Sequence, residues 1–315
     1  MRYRLDDIEA FLRVVDTGSI STAATQLNLS KSVVSKRVTD LEQALGVALL
    51  HRSTHGVTPT DEGITFHVRG RAIMQQLDEA AEEVSAADGE LSGSLRITAP
   101  MSLGTLYLGP ILASFLQRHP RLEAVLELDD RVVDLQSGSY DLAIRVAHLP
   151  DSSLIARRLC TTRRIVCCSP NYAARAGVPA SLDDIANHDC IGYANVRSSQ
   201  VWRFEPARQN DKHRSLTVRS RIVANNGEIM RDMAVAGLGL AVLPAFIAAE
   251  ALVDGRLIDA IPGTRPTADP IHAVYAKARQ PSKKLKSVVA HLQAALEGEP
   301  PWERLLSTHG NHDMR

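Results

Sequence analysis

The feature that most constrains the fold is a group of three short helical patterns within the first sixty residues. Four apolar residues of the third pattern share one helix face, because they recur at intervals of four, three and four: Val34, Val38, Leu41 and Leu45. Ser30 stands where a hydroxyl caps a helix N-terminus, and Gly46 ends the pattern. A short helix and a tight turn precede it. The arrangement predicts a helix-turn-helix at about residues 20–39.

The two earlier helices are predicted from the same periodicity. The first carries apolar residues at helical spacing: Leu5, Ile8, Phe11, Leu12 and Val15. It ends at residues 16–19, where Gly18 can take a positive φ. The second presents one apolar face: Ile20, Ala23, Ala24 and Leu27. Its two alanines let another helix approach closely.

The third helix has a polar face opposite its apolar stripe. Small polar residues, one lysine and a valine make up this face and its flanks: Ser32, Val33, Ser35, Lys36, Thr39 and Gln43. Such a face suits insertion into a DNA major groove, whereas a bulky or acidic face does not. On an isolated helix it would be an ordinary solvated surface, but the short helix and tight turn before it favour DNA. The candidate DNA contacts on this helix are Ser30, Lys31, Ser32, Val33, Ser35, Lys36 and Thr39.

A small β-wing is predicted after Gly46, over residues 47–60. Arg52, Ser53, Thr54 and His55 can donate to phosphates or reach a minor groove, and the alternative is a plain surface loop. Charge does not decide between them. Residues 1–60 hold seven Lys/Arg and six Asp/Glu, a net of about +1, and the whole chain holds 36 of each kind.

With these landmarks in order, the N-terminus resembles the LysR-type transcriptional regulators. The resemblance rests on residues 18–20, 23–27, Ser30, Ser35, 41–47, 49–54 and 60–63. Two positions depart from the family pattern: His55, where arginine is frequent, and Pro59, where leucine is frequent. Glu42 has two interpretations. It is a helix-stabilising charge, or it orients Arg52 through a salt bridge, as the resemblance suggests.

A long helix is predicted after the wing. Thr60 can cap it, and Asp61 and Glu62 favour its positive end. A heptad-like seam follows at intervals of four, three, four, three and four: Phe66, Gly70, Ile73, Leu77, Ala80 and Val84. The helix either packs on its own domain or, as the resemblance implies, forms a dimer through Phe66, Ile73, Leu77, Ala80 and Val84.

The remaining residues alternate strand and helix, which indicates an α/β domain. By resemblance, this is an effector domain with two lobes similar to type 2 periplasmic binding proteins, with the chain crossing between the lobes twice. The expected divisions are a winged helix-turn-helix at 1–60, a linker helix at 61–90, an effector domain at 91–298 and a tail at 299–315. Within the effector domain, lobe I comprises 93–163 and 267–298, and lobe II comprises 164–266.

An effector cleft is expected where strands end and helices begin. Ser102, Arg145, Asn225 and Asn226 stand at such places. A hydroxyl, a guanidinium and amides around helix N-termini suit a small organic anion. The alternatives are helix capping for Ser102 and Asn226, and a structural ion pair for Arg145.

The chain has four cysteines and no CxxC or zinc spacing, so neither a metal site nor a cofactor is expected. Adjacent Cys167 and Cys168 point to opposite faces of a strand and serve either core packing or redox sensing. No catalytic motif is present, which favours a regulator over an enzyme. A solute-binding protein without a DNA role is the other alternative, but its secretory signal is missing. We therefore expect a cytoplasmic homodimer or homotetramer that binds promoter DNA and a small-molecule effector, with RNA polymerase as a further partner and no membrane association.

Overall fold

The computed structural model describes residues 3–53, 56–85, 90–131, 133, 135, 140–150, 152–195, 201–206, 213–277 and 281–310. The chain divides into two compact units. One comprises Met1–Gly93 and Asp134–Asp141, and the other comprises Ser94–Val133 and Leu142–Arg315.

The first unit is a three-helix core with a two-stranded wing and a long helix. Its elements are α1 (Leu5–Thr17), α2 (Ile20–Gln26), α3 (Lys31–Leu45), β1 (Leu50–Ser53), β2 (Gly56–Pro59) and α4 (Asp61–Ser85). The stripe predicted on α3 is in the core, where Val34, Val38 and Leu41 are fully buried. Both predicted ends of α3 are confirmed. Ser30 Oγ accepts a hydrogen bond from the Val33 N–H at 3.3 Å, and Gly46 closes the helix in the left-handed conformation at φ 74°.

The start of α4 is tied to the wing. Thr60 Oγ1 accepts from the Gly63 N–H at 2.9 Å and donates to the Ala48 carbonyl at 2.9 Å. A Cβ at Gly63 would lie 2.0 Å from the Leu49 carbonyl oxygen, so only glycine fits this close approach. The wing and the long helix are thereby held in one geometry.

The first residue of the seam predicted on α4 makes contacts within its own unit. Phe66 packs edge-on against Phe11 of α1, with ring centroids 5.7 Å apart, and belongs to the core of its own unit. The first turns of α4 also join α1 through Asp16, which pairs with His67 at 2.8 Å and with Arg71 at 2.6 Å. The beginning of the helix is therefore used within the subunit.

The second unit contains two five-stranded sheets, each flanked by helices. Lobe I contains β3 (Ser92–Ala99), α5 (Met101–Leu103), α6 (Gly109–Arg118), β4 (Arg121–Leu128), β5 (Leu142–Val146), β6 (Leu154–Thr162), β14 (Asp269–Ala276) and α10 (Lys283–Leu296). Lobe II contains β7 (Arg164–Cys168), α7 (Pro170–Ala176), β8 (Cys190–Tyr193), β9 (Val201–Phe204), β10 (Arg214–Thr217), β11 (Ser220–Ala224), α8 (Gly227–Val235), β12 (Leu240–Pro244), α9 (Ala245–Val253) and β13 (Ile258–Asp259). A π-helical turn over Gly104–Leu108 joins α5 to α6, and Asp183–Asn187 form a 3-10 helix.

Each lobe has a mixed sheet. The order is β4-β3-β5-β14-β6 in lobe I and β11-β8-β12-β7-β13 in lobe II, with β9 and β10 pairing separately. The strands β3 and β5 run parallel, as do β11, β8 and β12. The chain crosses from lobe I to lobe II between β6 and β7 and returns between β13 and β14, which confirms the predicted fold class of a winged helix-turn-helix followed by a two-lobed α/β domain.

The C-terminal residues differ from the expectation. The sequence predicts a tail over 299–315, but a further helix, α11 (Pro301–Gly310), forms there. Its Trp302 is fully buried, with 0% of the residue exposed. Burial of this indole against distant parts of the chain holds the helix in place.

Candidate DNA interface and effector cleft

The face of α3 opposite the core is open to solvent. Ser30, Lys31, Ser32 and Lys36 are exposed, and so is 40% of Val33. Ser30 Oγ and Ser32 Oγ lie 2.9 Å apart, so the hydroxyls form a small polar patch at the helix start. Hydroxyls, one apolar side chain and one ammonium at a helix N-terminus match the donors, acceptors and thymine methyl groups of a major groove.

Arg52 of the wing lies along the same helix. Its guanidinium donates to Ser35 Oγ at 3.4 Å and to Thr39 Oγ1 at 3.2 Å. Glu42 Oε2 is 3.5 Å from Arg52 Nη2. Ser35 and Thr39 therefore help to hold Arg52, while 42% of the Arg52 side chain remains exposed.

Glu42 contacts Arg52, as one of its two interpretations expects, and also has a role that was not predicted. Its Oε1 accepts hydrogen bonds from the Leu49 N–H at 2.8 Å and the Leu50 N–H at 3.1 Å, which fixes the connection from α3 to the wing. Its other oxygen faces Arg52. The remaining wing candidates, Thr54 and His55, lie outside the described residues, as does the side chain of Ser53.

The distal part of α4 presents apolar side chains to solvent. Ile73 is 54% exposed and Leu77 is 44% exposed, and Ala80 is also exposed. The side chain of Val84 lies outside the described part of the chain. This stretch, unlike Phe66, has the exposed apolar character of an interface.

Two buried hydroxyls lie where β3 gives way to α5. Ser102 is 4% exposed and Thr98 is fully buried. Among the residues that the structure describes, neither hydroxyl has a hydrogen-bond partner. Pro100 occupies the N-cap position of α5, so Ser102 does not cap that helix. Thr98 is not among the predicted effector contacts, although a polar residue at the carboxyl end of an apolar strand is a usable signal.

Asn226 contacts lobe I at Met101, next to Ser102, and its side-chain oxygen caps α8. Its Oδ1 accepts from the Ile229 N–H at 2.9 Å at the start of α8, and its Nδ2 lies 3.3 Å from Met101 Sδ. A Cβ at the next residue, Gly227, would lie 3.7 Å from Ser102 Oγ. Asn225 is exposed, and its carbonyl accepts from Asn195 Nδ2 at 3.1 Å. The structure thus brings Ser102 and Asn226 to one place between the lobes.

Arg145 takes part in a charged group on lobe I. Its Nη1 donates to the Arg131 carbonyl at 3.4 Å. The pKa of Asp129 is lowered, mainly by hydrogen bonds from Arg131 and to a lesser degree by the charge of Arg145. Arg145 therefore has a structural contact with the backbone of lobe I, and its positive charge lies near the end of β5.

Two residues outside the predicted set, Asp130 of lobe I and Tyr193 of lobe II, lie near each other. Asp130 accepts from the Met101 N–H at 3.0 Å. Its carboxylate also lies near Tyr193, at the end of β8, whose pKa is raised to about 12, chiefly by burial and to a lesser degree by Asp130. Tyr193 ends, and Asn195 follows, a strand that the hydrophobic periodicity does not reveal.

The four thiols have different surroundings from these polar groups. Cys167, Cys168 and Cys190 are buried and Cys160 is partly buried, and all four are reduced. Burial raises the pKa of Cys168 to about 11 and those of Cys160 and Cys190 to about 12, and it raises the pKa of Cys167 as well. These environments are those of core packing.

Comparison with known families assigns both parts of the chain. Residues 5–64 match the bacterial regulatory helix-turn-helix protein, lysR family, and residues 88–297 match the LysR substrate binding domain. The chain belongs to the LysR family of transcriptional regulators. No helix of the described residues is long and apolar enough to cross a membrane. Within the same residues, no group of three or more His, Cys, Asp and Glu side chains is arranged to hold a metal ion.

Relatives span nearly the whole chain. The transcriptional regulator PtxR of Pseudomonas aeruginosa is 33% identical over 298 residues, covering 94% of each protein. The solved structure of CrgA from Neisseria meningitidis is 30% identical, with a TM-score of 0.55 over 97% of this chain and 99% of that one. The full-length Vibrio cholerae activator AphB, at 24% identity and a TM-score of 0.61 over 93% and 99%, shares the fold.

Proposed function

We propose that this LysR-type regulator reads promoter DNA through the exposed face of α3 and Arg52, and responds to a small organic anion bound between the lobes. The observation that carries the proposal is the exposed face of the first two turns of α3. Its core side is fixed by buried apolar residues, while Ser32, Val33 and Lys36 stay exposed beside the braced Arg52. A rigid helix with a small polar face is what major-groove recognition requires.

The DNA-reading face is tested by Lys36→Ala. Loss of one base contact costs about 1–3 kcal/mol, so specific binding should weaken about 5- to 150-fold. The measurement is a gel-shift titration at fixed salt, on a promoter fragment recovered by genome-wide binding. Lys283→Ala is the matched control, because it removes another exposed lysine, from α10 in the other unit. Parent-like affinity of the Lys36 variant would refute this placement of the face.

The effector site is supported by the buried hydroxyls of Thr98 and Ser102. A buried hydroxyl without a partner is costly, so a ligand or a water that bonds it is favoured there. Arg145 adds a positive charge on lobe I, and Asn226 lies on lobe II. A carboxylate satisfies hydroxyl and guanidinium donors together. The effector must compete with Asp130, which already accepts the Met101 N–H.

Assembly and partners complete the proposal. The exposed Ile73, Leu77 and Ala80 of α4 support a dimer or tetramer built through this helix, since exposed apolar residues on a long helix are stabilised by a second helix. We further infer that the protein acts in the cytoplasm, where promoter DNA and metabolites meet, and that an activating form contacts RNA polymerase. Its role requires binding alone, with no catalysis.

A further inference from the structure

The C-terminal helix α11 lies beyond the part of the chain that matches the LysR substrate binding domain, which ends at residue 297. It is anchored by Trp302, the bulkiest fully buried side chain among the described residues. The indole N–H is buried and has no acceptor within that part of the chain. Because an unsatisfied buried donor is unfavourable, apolar and aromatic contacts must hold the indole in place.

These contacts come from both lobes. Tyr107, in the π-helical turn of lobe I, meets the indole edge-on with ring centroids 4.8 Å apart. Phe246, in the first turn of α9 in lobe II, meets it edge-on at 5.7 Å. Trp302 is thus a wedge between the lobes. It lies between the π-helical turn of lobe I, which comes after β3, and α9 of lobe II, which comes after β12. A rotation of one lobe against the other would change at least one of these two contacts.

A charged contact joins the same helix to the place where the lobes are connected. Glu303 Oε2 accepts from Arg163 Nε at 2.7 Å, and Arg163 is the single residue between β6 and β7. The Arg163 carbonyl in turn accepts from the Ala245 N–H at 2.8 Å, at the start of α9. Glu303 therefore holds the first crossover, one residue away from the wedge.

We propose that α11 is an interlobe strap that fixes the angle between lobes I and II. Trp302 holds the two lobes through Tyr107 and Phe246, and Glu303 holds the crossover through Arg163. Hinge motions are absorbed by a few residues at element ends, and Arg163 is such a residue. A helix that contacts both lobes and the residue between them restricts the rotation of one lobe against the other.

Hydrogen exchange tests the strap. The full-length protein is compared with a first variant that ends at Glu299. Two reporters lie away from the wedge in sequence. The Thr267 N–H donates to the Arg203 carbonyl at 2.9 Å beside the second crossover, and the Met230 N–H donates to the Asn226 carbonyl at 3.2 Å in the first turn of α8. We expect both to exchange at least tenfold faster in the variant. Core amides of β7 and β12, which lie within one lobe, should exchange as in the parent.

The alternatives give different patterns. Faster exchange confined to α9 and residues 105–108 would mean that α11 only covers these surfaces, and this result overturns the proposal. If the exchange rates rise equally at the reporters and in β7 and β12, α11 stabilises the domain as a whole. This result also overturns the proposal. If the truncated chain does not fold, Trp302→Ala is judged by the same pattern. In Trp302→Phe, which keeps an aromatic ring, the exchange rates of the two reporters should stay within threefold of those in the parent.

Discussion

At the scale of single residues, burial decides which polar groups are available for chemistry. The sequence allows Cys167 and Cys168 either packing or redox sensing. In the structure, Cys167 Sγ lies 3.5 Å from the Ala241 carbonyl and Cys168 belongs to the core of lobe II. The thiolate is the reactive form of cysteine, and burial in apolar surroundings disfavours it. Packing is therefore the role that the structure favours.

The thiols give a prediction about pH. Raising a thiol pKa from about 9 to about 12, as for Cys160 and Cys190, lowers the thiolate fraction at pH 8 about a thousandfold. Iodoacetamide should therefore label the folded protein very slowly at pH 8, and faster with every unit of pH up to the raised pKa. The control is the guanidinium-unfolded chain, which should take four labels by mass spectrometry. Rapid labelling of Cys167 or Cys168 in the folded state would contradict the prediction of slow labelling.

The cleft residues show how far single positions can be read from sequence. Ser102 and Asn226 both precede or begin helices, and the same alternative of capping applied to each. Only the structure separates them, because capping depends on which N–H the side-chain oxygen meets. Asn226 meets the Ile229 N–H, whereas Pro100 holds the cap position ahead of Ser102.

At the scale of elements, hydrophobic periodicity predicts elements with one buried face and misses elements that are buried on all sides. The α3 stripe and its caps were predictable, since the face and both ends are local. The strands Cys190–Tyr193 and Leu240–Pro244 were missed, because central strands covered on both faces show no alternation. The helix α11 was missed for another reason. Its anchor, Trp302, has partners about 200 and 56 residues earlier in the chain, Tyr107 and Phe246, which no local pattern reveals.

The element-scale prediction concerns α4. Leu77→Glu places a charge on the exposed apolar stretch, and if a second chain covers that stretch, the unpaired buried charge costs about 3–5 kcal/mol. The oligomer should dissociate toward monomer in sedimentation velocity. Gln76→Glu is the matched control, since it adds the same charge one position away at an exposed residue. If Leu77→Glu and Gln76→Glu both keep the parent assembly, this stretch is not the interface.

At the scale of the whole molecule, the proposed DNA-reading face and the proposed effector site belong to different units. The residues of the α3 face lie in the first unit, and Thr98, Ser102, Arg145 and Asn226 lie in the second. A ligand changes the regulator only to the extent that it binds one state more tightly than another, and such couplings are typically about 1–3 kcal/mol. Variants in the cleft should thus alter the response while leaving basal DNA binding intact.

Ser102→Ala gives the sharpest test of this separation. Because Ser102 Oγ has no partner among the described residues, its removal should leave the melting temperature unchanged or slightly raised. A hydrogen bond to a charged ligand is worth about 1.5–3 kcal/mol, so affinity for the anion should fall about 10- to 150-fold. The ligand is first found by thermal-shift screening of small organic acids, and its affinity is then measured by calorimetry. Ser220→Ala is the matched control, since Ser220 Oγ is also buried without a partner in the described chain but lies at the start of β11.

Arg145→Ala should lose the anion as well, with the DNA affinity of the ligand-free protein preserved in all three variants. Parent-like affinity in Ser102→Ala and Arg145→Ala would place the effector elsewhere in the domain.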